Sequence, residues 1–330
     1  MKIYKNKEGR NHLKMRNKET LELVTNAAKG KIGLLKESKG KYFMSAFLAG
    51  TFIGIGILLT FTVGGVSSGL PTNKILMGVS FGIALSLVVV FGTELFTGNN
   101  MIGVAGFLNK GISFKDMILM WVASYVGNIV GSIMLAIAYV FSNSASKPVV
   151  EFIVKVSKAK ITALPHELFF KGILCNILVC LAVLAGIKLK EETAKLIMVF
   201  WCLFAFITAG FEHSVANMTL LMMGIMYKGI TLNGYFYNLL FVTLGNIVGG
   251  GFIGYACYYL GKKEKNRFGR CGHRLPTRYR RACARGAKLR PESGQTPSDP
   301  YGATKRKGQH GRWRGSSGRD QLRHGAFSES

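Results

Sequence analysis

Gly92-Thr-Glu-Leu-Phe-Thr-Gly-Asn-Asn100 and Gly210-Phe-Glu-His-Ser-Val-Ala-Asn217 are two polar, glycine-led stretches, each set inside a long apolar run. They lie 118 residues apart: Gly92 falls on Gly210, Glu94 on Glu212, Leu95 on His213 and Asn99 on Asn217. At the same offset, Gly127-Asn-Ile-Val-Gly131 returns as Gly245-Asn-Ile-Val-Gly249. A single five-residue match arises by chance; two matches in order at one offset do not. The chain therefore holds two copies of one unit.

Around these stretches the apolar residues gather into runs between Tyr42 and Leu260. Each run has about 20 residues or more, enough to cross a hydrocarbon core about 30 Å thick. The spans predicted are Tyr42–Gly65, Asn73–Asn109, Phe114–Phe141, Pro165–Ile187, Lys195–Tyr227 and Tyr235–Leu260. The second and fifth carry the polar stretches and are expected to be broken there. With 49% hydrophobic and 18% charged residues, the composition also leans away from a soluble domain. The expectation is an all-α membrane protein of six transmembrane spans. Three spans per unit is an odd number, so the second copy enters the membrane upside down. Inverted repeats with paired broken helices are an architecture of pores and transporters. Unwound backbone inside a membrane is tolerated where it is buried or lines a cavity.

The formal charge of +27 does not point to nucleic acid, because of where it sits. Between Lys262 and Ser330, 19 Lys/Arg outnumber 5 Asp/Glu. Much of the remainder lies in residues 1–41, before the first span. Such a distribution follows the positive-inside rule and puts both termini in the cytoplasm, with the chain in the inner or plasma membrane. The lysines of residues 142–164 would then face outward, against the rule, and the N-terminal cluster outweighs them. Residues 1–19 are polar and expected to be mobile. From Leu21 the apolar positions Leu21, Val24, Ala28, Ile32 and Leu35 recur at helical spacing among lysines. That pattern fits an amphipathic helix lying either on the lipid surface or on the protein's own inner face. Residues 1–41 thus form a basic N-terminus, 42–261 the channel domain, and 262–330 a basic tail. The tail is Arg/Gly/Ser-rich and aperiodic, expected to be disordered, and unlike the rest of the chain, as out-of-frame or appended sequence would be. No apolar stretch in residues 1–41 suits a cleavable signal peptide.

Of six cysteines, Cys175, Cys180, Cys202 and Cys257 lie in apolar runs and Cys271 and Cys283 in the tail. None forms a CxxC pair, so no zinc or redox motif is expected, and no cofactor is implied.

Glu94, Glu212 and His213 fall inside spans, where ionisable groups are costly and often functional. For the glutamates the plain reading is structural, a carboxylate taking hydrogen bonds from backbone N–H groups freed by a break. Asn99, Asn217, Asn128 and Asn246 are read the same way, as bridges to broken backbone. His213 differs because the first copy has Leu95 in its place; a structural role would more readily be symmetric. A dry pore opposes its charged form and a passing anion favours it. Thr97, half a turn beyond the other break, is placed to offer a hydroxyl to the histidine or the solute. Phe81, Leu85 and Phe206 flank the breaks as apolar rings. Lys160 sits among the alternating lysines before the fourth span and, read alone, is a solvated charge.

Gly92–Asn100, Lys171-Gly-Ile-Leu-Cys-Asn176, Phe211-Glu-His-Ser-Val-Ala-Asn-Met218 and Gly245–Gly251 together resemble the formate–nitrite transporter family, over roughly residues 20–261. The resemblance implies an aquaporin-like protomer, each with its own pore, in a homopentamer that moves formate, nitrite or hydrosulfide. By it, His213 matches the pore histidine and Thr97 the threonine of the first break. Lys160 matches a lysine that draws anions into the outer vestibule, and Phe81, Leu85 and Phe206 match constrictions, with Leu95 on the same pathway. One departure is the short link 228–234 between the fifth and sixth spans, which leans toward the hydrosulfide or nitrite branch.

The function expected is passive, pH-sensitive permeation of a small monovalent anion or its conjugate acid, with the proton and the lipid bilayer as its other partners. A bare charge in a dry segment costs several kcal/mol or more, on the order of buried unpaired ions, so pairing or protonation must lower it. A water or glycerol pore is the alternative, but neither break carries the Asn-Pro-Ala such pores use. An enzyme would need a metal or nucleophile cluster, and His213 has no second ligand at metal spacing. Nucleic-acid binding would rest on the tail alone and is not expected.

Overall fold

A computed structural model describes residues 2–262, with side chains placed from Met15 onward. The tail lies outside the described residues, apart from Lys262. Eleven helices follow one another, beginning with α1 (Lys2–Glu37), α2 (Lys39–Val66), α3 (Asn73–Ser80) and α4 (Gly82–Phe91). Next come α5 (Phe96–Leu108), α6 (Phe114–Phe141), α7 (Lys147–Thr162) and α8 (Pro165–Lys188). The last are α9 (Glu192–Ala209), α10 (Ser214–Met226) and α11 (Leu232–Gly261). Six stretches are long and apolar enough to cross a membrane: α2, α3 with α4, α6, α8, α9 and α11.

The boundaries follow from local chemistry. Ser38 caps α2 by accepting from the Lys41 N–H, and Thr231 caps α11 by accepting from the Gly234 N–H. Ser113 and Asp116 form a reciprocal capping box at the start of α6. Pro165 opens α8, where its missing N–H costs nothing.

α1 runs unbroken from Lys2 to Glu37. Its apolar stripe then decides between the two positions left open. Leu21, Val24, Ala28, Ile32 and Leu35 are all buried against the protein, packed with Met101, Ile102, Ala105, Met120 and Ile253. The helix therefore lies on the bundle itself. Residues 142–164, read as a lysine-rich loop, contain α7, whose Val149, Ile153 and Ser157 are buried. Apolar residues at that spacing fix one face of a helix on the bundle.

The repeat is legible in the packing. α2 packs along α6, and α8 along α11, through glycine contacts. A Cβ at Gly127 would collide with Ala46, and one at Gly245 with the Phe169 carbonyl. Close helix approach through small residues replaces the hydrophobic drive that lipid cannot supply. α1 stands before the first unit as α7 stands before the second, so each copy consists of one flanking helix followed by three spans.

Candidate functional site

Both broken spans stop in the same way. α4 ends at Gly92 with φ 61°, and α9 ends at Gly210 with φ 76°. A residue with a Cβ would be strained in that left-handed region, whereas glycine is not. After three intervening residues the chain re-enters a helix, α5 or α10, and each restart leaves backbone N–H groups without a helical acceptor.

Two asparagines one copy apart solve this. Asn128 Oδ1 accepts the Phe96 N–H at 2.9 Å, while Asn128 Nδ2 donates to the Glu94 and Ala46 carbonyls. Asn246 Oδ1 accepts the Ser214 N–H at 2.9 Å, while its Nδ2 donates to the Glu212 and Gly172 carbonyls.

The glutamates do something other than expected. Freed backbone N–H groups go to the asparagines, and the carboxylates instead hold lysines. Lys31 Nζ, on α1, lies 2.8 Å from Glu94 Oε1, and Lys160 Nζ, on α7, lies 2.6 Å from Glu212 Oε2. Asn99 Nδ2 donates to Glu94 Oε2 and Asn217 Nδ2 to Glu212 Oε2, so this second pair of asparagines serves the carboxylates and not the backbone. All four charged side chains are mostly enclosed: 19% and 5% exposed for the first pair, 16% and 8% for the second. Lys160 is thus neither in a loop nor a solvated charge. It is a paired cation with two of its three N–H donors left over.

The two copies meet at Thr97 and His213. Thr97 Oγ1 lies 3.0 Å from His213 Nε2, both fully enclosed. His213 is also the N-cap of α10, its Nδ1 accepting the Ala216 N–H at 3.1 Å. A nitrogen that accepts carries no proton, so this arrangement fixes the neutral tautomer with Nε2–H donating to Thr97. Charging the imidazole would require giving up the cap. Asn176 Nδ2 and the Cys180 thiol both approach the Thr97 carbonyl from α8 and hold the threonine in place.

Around the histidine the walls are apolar. Phe81, Leu85, Leu95 and Phe206 enclose it together with Ile53, Val179 and Leu203, leaving no room for a water molecule. Phe206 stacks on the imidazole with centroids 6.0 Å apart, and Phe81 meets Phe206 edge-on at 5.4 Å. Phe81, Leu85 and Phe206, expected to flank the breaks, line one cage. On the α1 side of the cage a cavity of about 180 Å³ opens, reached by Lys31, Thr93, Asn99 and Gly98.

The structure therefore brings together His213, Thr97, Leu95, Phe81, Leu85 and Phe206, and sets Lys160 apart with Glu212 and Asn217. Sequence reasoning missed Lys31, which is to Glu94 what Lys160 is to Glu212. A signal existed: both lysines lie in amphipathic helices that precede a span. It also missed Tyr42, whose hydroxyl accepts from Asn99, and Asn238, whose amide spans Asn217 and the Lys160 carbonyl. Among the described residues no three His, Cys, Asp or Glu side chains converge as metal ligands would.

Comparison with known proteins agrees with this architecture. Residues 18–260 match the sequence profile described as formate/nitrite transporter. The chain is 42% identical over 229 residues to the nitrite transporter NirC of Salmonella typhimurium, covering 68% of this chain and 84% of that one. Among solved structures it superposes on an FNT family ion channel with a TM-score of 0.69 at 38% identity, covering 73% of this chain and 98% of the other. It also superposes on a pentameric formate channel with formate bound, with a TM-score of 0.60 at 29% identity, covering 68% and 98%.

Proposed function

The chain belongs to the formate/nitrite transporter family, and from that premise we propose that it is a multi-pass membrane pore for small monovalent anions, nitrite and formate foremost. The observation that carries this reading is the Thr97–His213 contact inside an apolar cage, flanked on either side by a lysine–glutamate pair. Each lysine neutralises its glutamate, so neither mouth presents a net negative charge to an arriving anion. Spare N–H donors on Lys160 and Lys31 replace part of the anion's hydration outside the cage. Within it, the polar contacts offered are Nε2–H of His213 and the Thr97 hydroxyl, and the apolar rings remove the remaining water. An anion there is stabilised by the imidazole N–H, and more fully once a proton accompanies it, so that the conjugate acid crosses the dry segment. This coupling makes the flux pH-sensitive. The relative named a nitrite transporter, at 42% identity, supports nitrite, and the bound-formate structure at 29% supports formate; hydrosulfide rests on the short 228–234 link alone.

The assembly belonging to this reading is a homopentamer in the inner or plasma membrane with both termini cytoplasmic, as the basic N-terminal region favours and as the pentameric neighbour supports. The test is stopped-flow flux in proteoliposomes with nitrite, formate, hydrosulfide and glycerol side by side. Nitrite or formate flux well above that of empty liposomes, with glycerol at background, is expected. Glycerol or water permeation without anion flux would return the protein to the neutral-solute class.

A further inference from the structure

The internal repeat provides a comparison within the molecule, since each residue of one copy has an equivalent in the other. Equivalents lie 118 residues apart at the breaks. Along α2 and α8 they lie 126 apart, as the Glu94 N–H donating to the Ser45 carbonyl and the Glu212 N–H to the Lys171 carbonyl establish. Applied to the cavity on the α1 side, this frame exposes an asymmetry. Its lining residues Val88, Thr93 and Ile187 stand where the other copy has Phe206, Phe211 and Phe61. Three small or aliphatic side chains in place of three aromatic ones give room for a small molecule.

The cavity is furnished for an anion. Lys31 Nζ donates to Glu94 and keeps two further N–H donors. Thr97 and Gly98 lie in the first turn of the 13-residue α5, where N–H groups have no intrahelical acceptor and the helix end is positive. Thr93 is 8% exposed, and its hydroxyl oxygen is buried with no protein partner. A buried hydroxyl without a partner is destabilising unless something else uses it. Glu94 bears the opposite charge, but both of its oxygens are engaged, by Lys31 and by Asn99.

We propose that this cavity is a one-sided anion subsite, with the Thr93 hydroxyl as its selective donor beside Lys31, holding a small oxyanion before it reaches His213. The proposal rests on the pore reading above and adds a sidedness to it: a waiting site on the α1 face that the aromatic α7 face lacks. The ligand chemistry is a compact monovalent oxyanion able to accept from a hydroxyl and an ammonium at once.

Nitrite flux in liposomes of one orientation tests this, with concentration varied on each side in turn. For Thr93→Val, half-saturation from the α1 side should rise about fivefold, on the scale of one hydrogen bond to a charged ligand. From the α7 side it should move less than twofold, and Thr93→Ser should stay near wild type on both sides. The ratio of Vmax to half-saturation must remain equal in the two directions for a passive pore and serves as the internal check. Valine matches threonine in shape and removes a hydroxyl that no protein group uses, so the thermal midpoint should hold or rise. Wild-type saturation in Thr93→Val, an equal change from both sides, or a fall in midpoint of more than about 5 °C would each overturn the subsite. Absence of nitrite and formate flux in the wild type would instead overturn the pore reading beneath it.

Discussion

Tyr125 and Thr243 are repeat equivalents, 118 residues apart, and they touch: Tyr125 Oη lies 3.1 Å from Thr243 Oγ1. A residue can contact its own equivalent only where the two copies adjoin the axis that relates them. The pair therefore lies where α6 and α11, equivalent helices of the two copies, adjoin. The Thr97–His213 contact is built where the two breaks meet, each copy contributing a different side chain.

Removing this axial bond should have little effect on transport. Tyr125→Phe is expected to lower thermal stability by about 1 kcal/mol or less, the usual scale for interhelical hydrogen bonds in membranes. Thr243→Val added to it should cost nothing more, since the bond is already gone. The check is the thermal midpoint in detergent alongside nitrite flux. A loss of flux without a loss of stability would place the pair on the solute pathway.

The lysine–glutamate pairs should respond as coupled units. Lys160→Ala leaves the Glu212 carboxylate enclosed and unpaired, a change costing about 3–5 kcal/mol by analogy with broken buried ion pairs. It also turns that mouth negative, so anion uptake should fall most at low ionic strength, where screening is weakest. Adding Glu212→Gln should recover most of the stability and less than half of the flux. Lys31→Ala with Glu94→Gln should behave likewise from the other side. Equal losses of flux at low and high salt would mean that the lysine serves structure alone.

His213 is predicted to set the pH response. His213→Phe keeps a planar ring within the Phe206 stack but removes the proton-bearing nitrogen and the cap on α10. Anion-coupled proton movement should vanish while the elution volume on size-exclusion chromatography stays that of the wild type. His213→Asn retains an acceptor for the Ala216 N–H and a donor toward Thr97, so it should pass anions with a flattened pH profile. Flux against external pH for the three proteins is the measurement. A wild-type rate and profile in His213→Phe would reduce the histidine to a packing residue.

Asn246 should matter to stability although it carries no charge. It accepts from the Ser214 N–H and donates to the Glu212 and Gly172 carbonyls, and Asn246→Ala strands all three. At about 1 kcal/mol per hydrogen bond the loss should be about 2–3 kcal/mol, visible as a lowered midpoint before any change in ion selectivity. Asn128→Ala should match it, because its bonds are the same one copy earlier.

The sequence by itself determined the six spans, the two breaks, their equivalence, and the singularity of His213 opposite Leu95. Each of these is a matter of local composition or of identity at a fixed offset, which a one-dimensional string carries in full. It also contained the apolar stripe of α1 without saying what that stripe faced, since lipid and protein core demand the same residues. Only the tertiary structure decided that α1 and α7 each bring a lysine to a glutamate in a break. Lys31 and Glu94 are 63 residues apart, and a charge in an amphipathic helix looks solvated until packing removes the water. In the same way, only the fold could divide the work among the asparagines, Asn128 and Asn246 to backbone and Asn99 and Asn217 to carboxylates. Which donor meets which acceptor depends on distances of about 3 Å set by helices from both ends of the chain, and no spacing along the sequence encodes those.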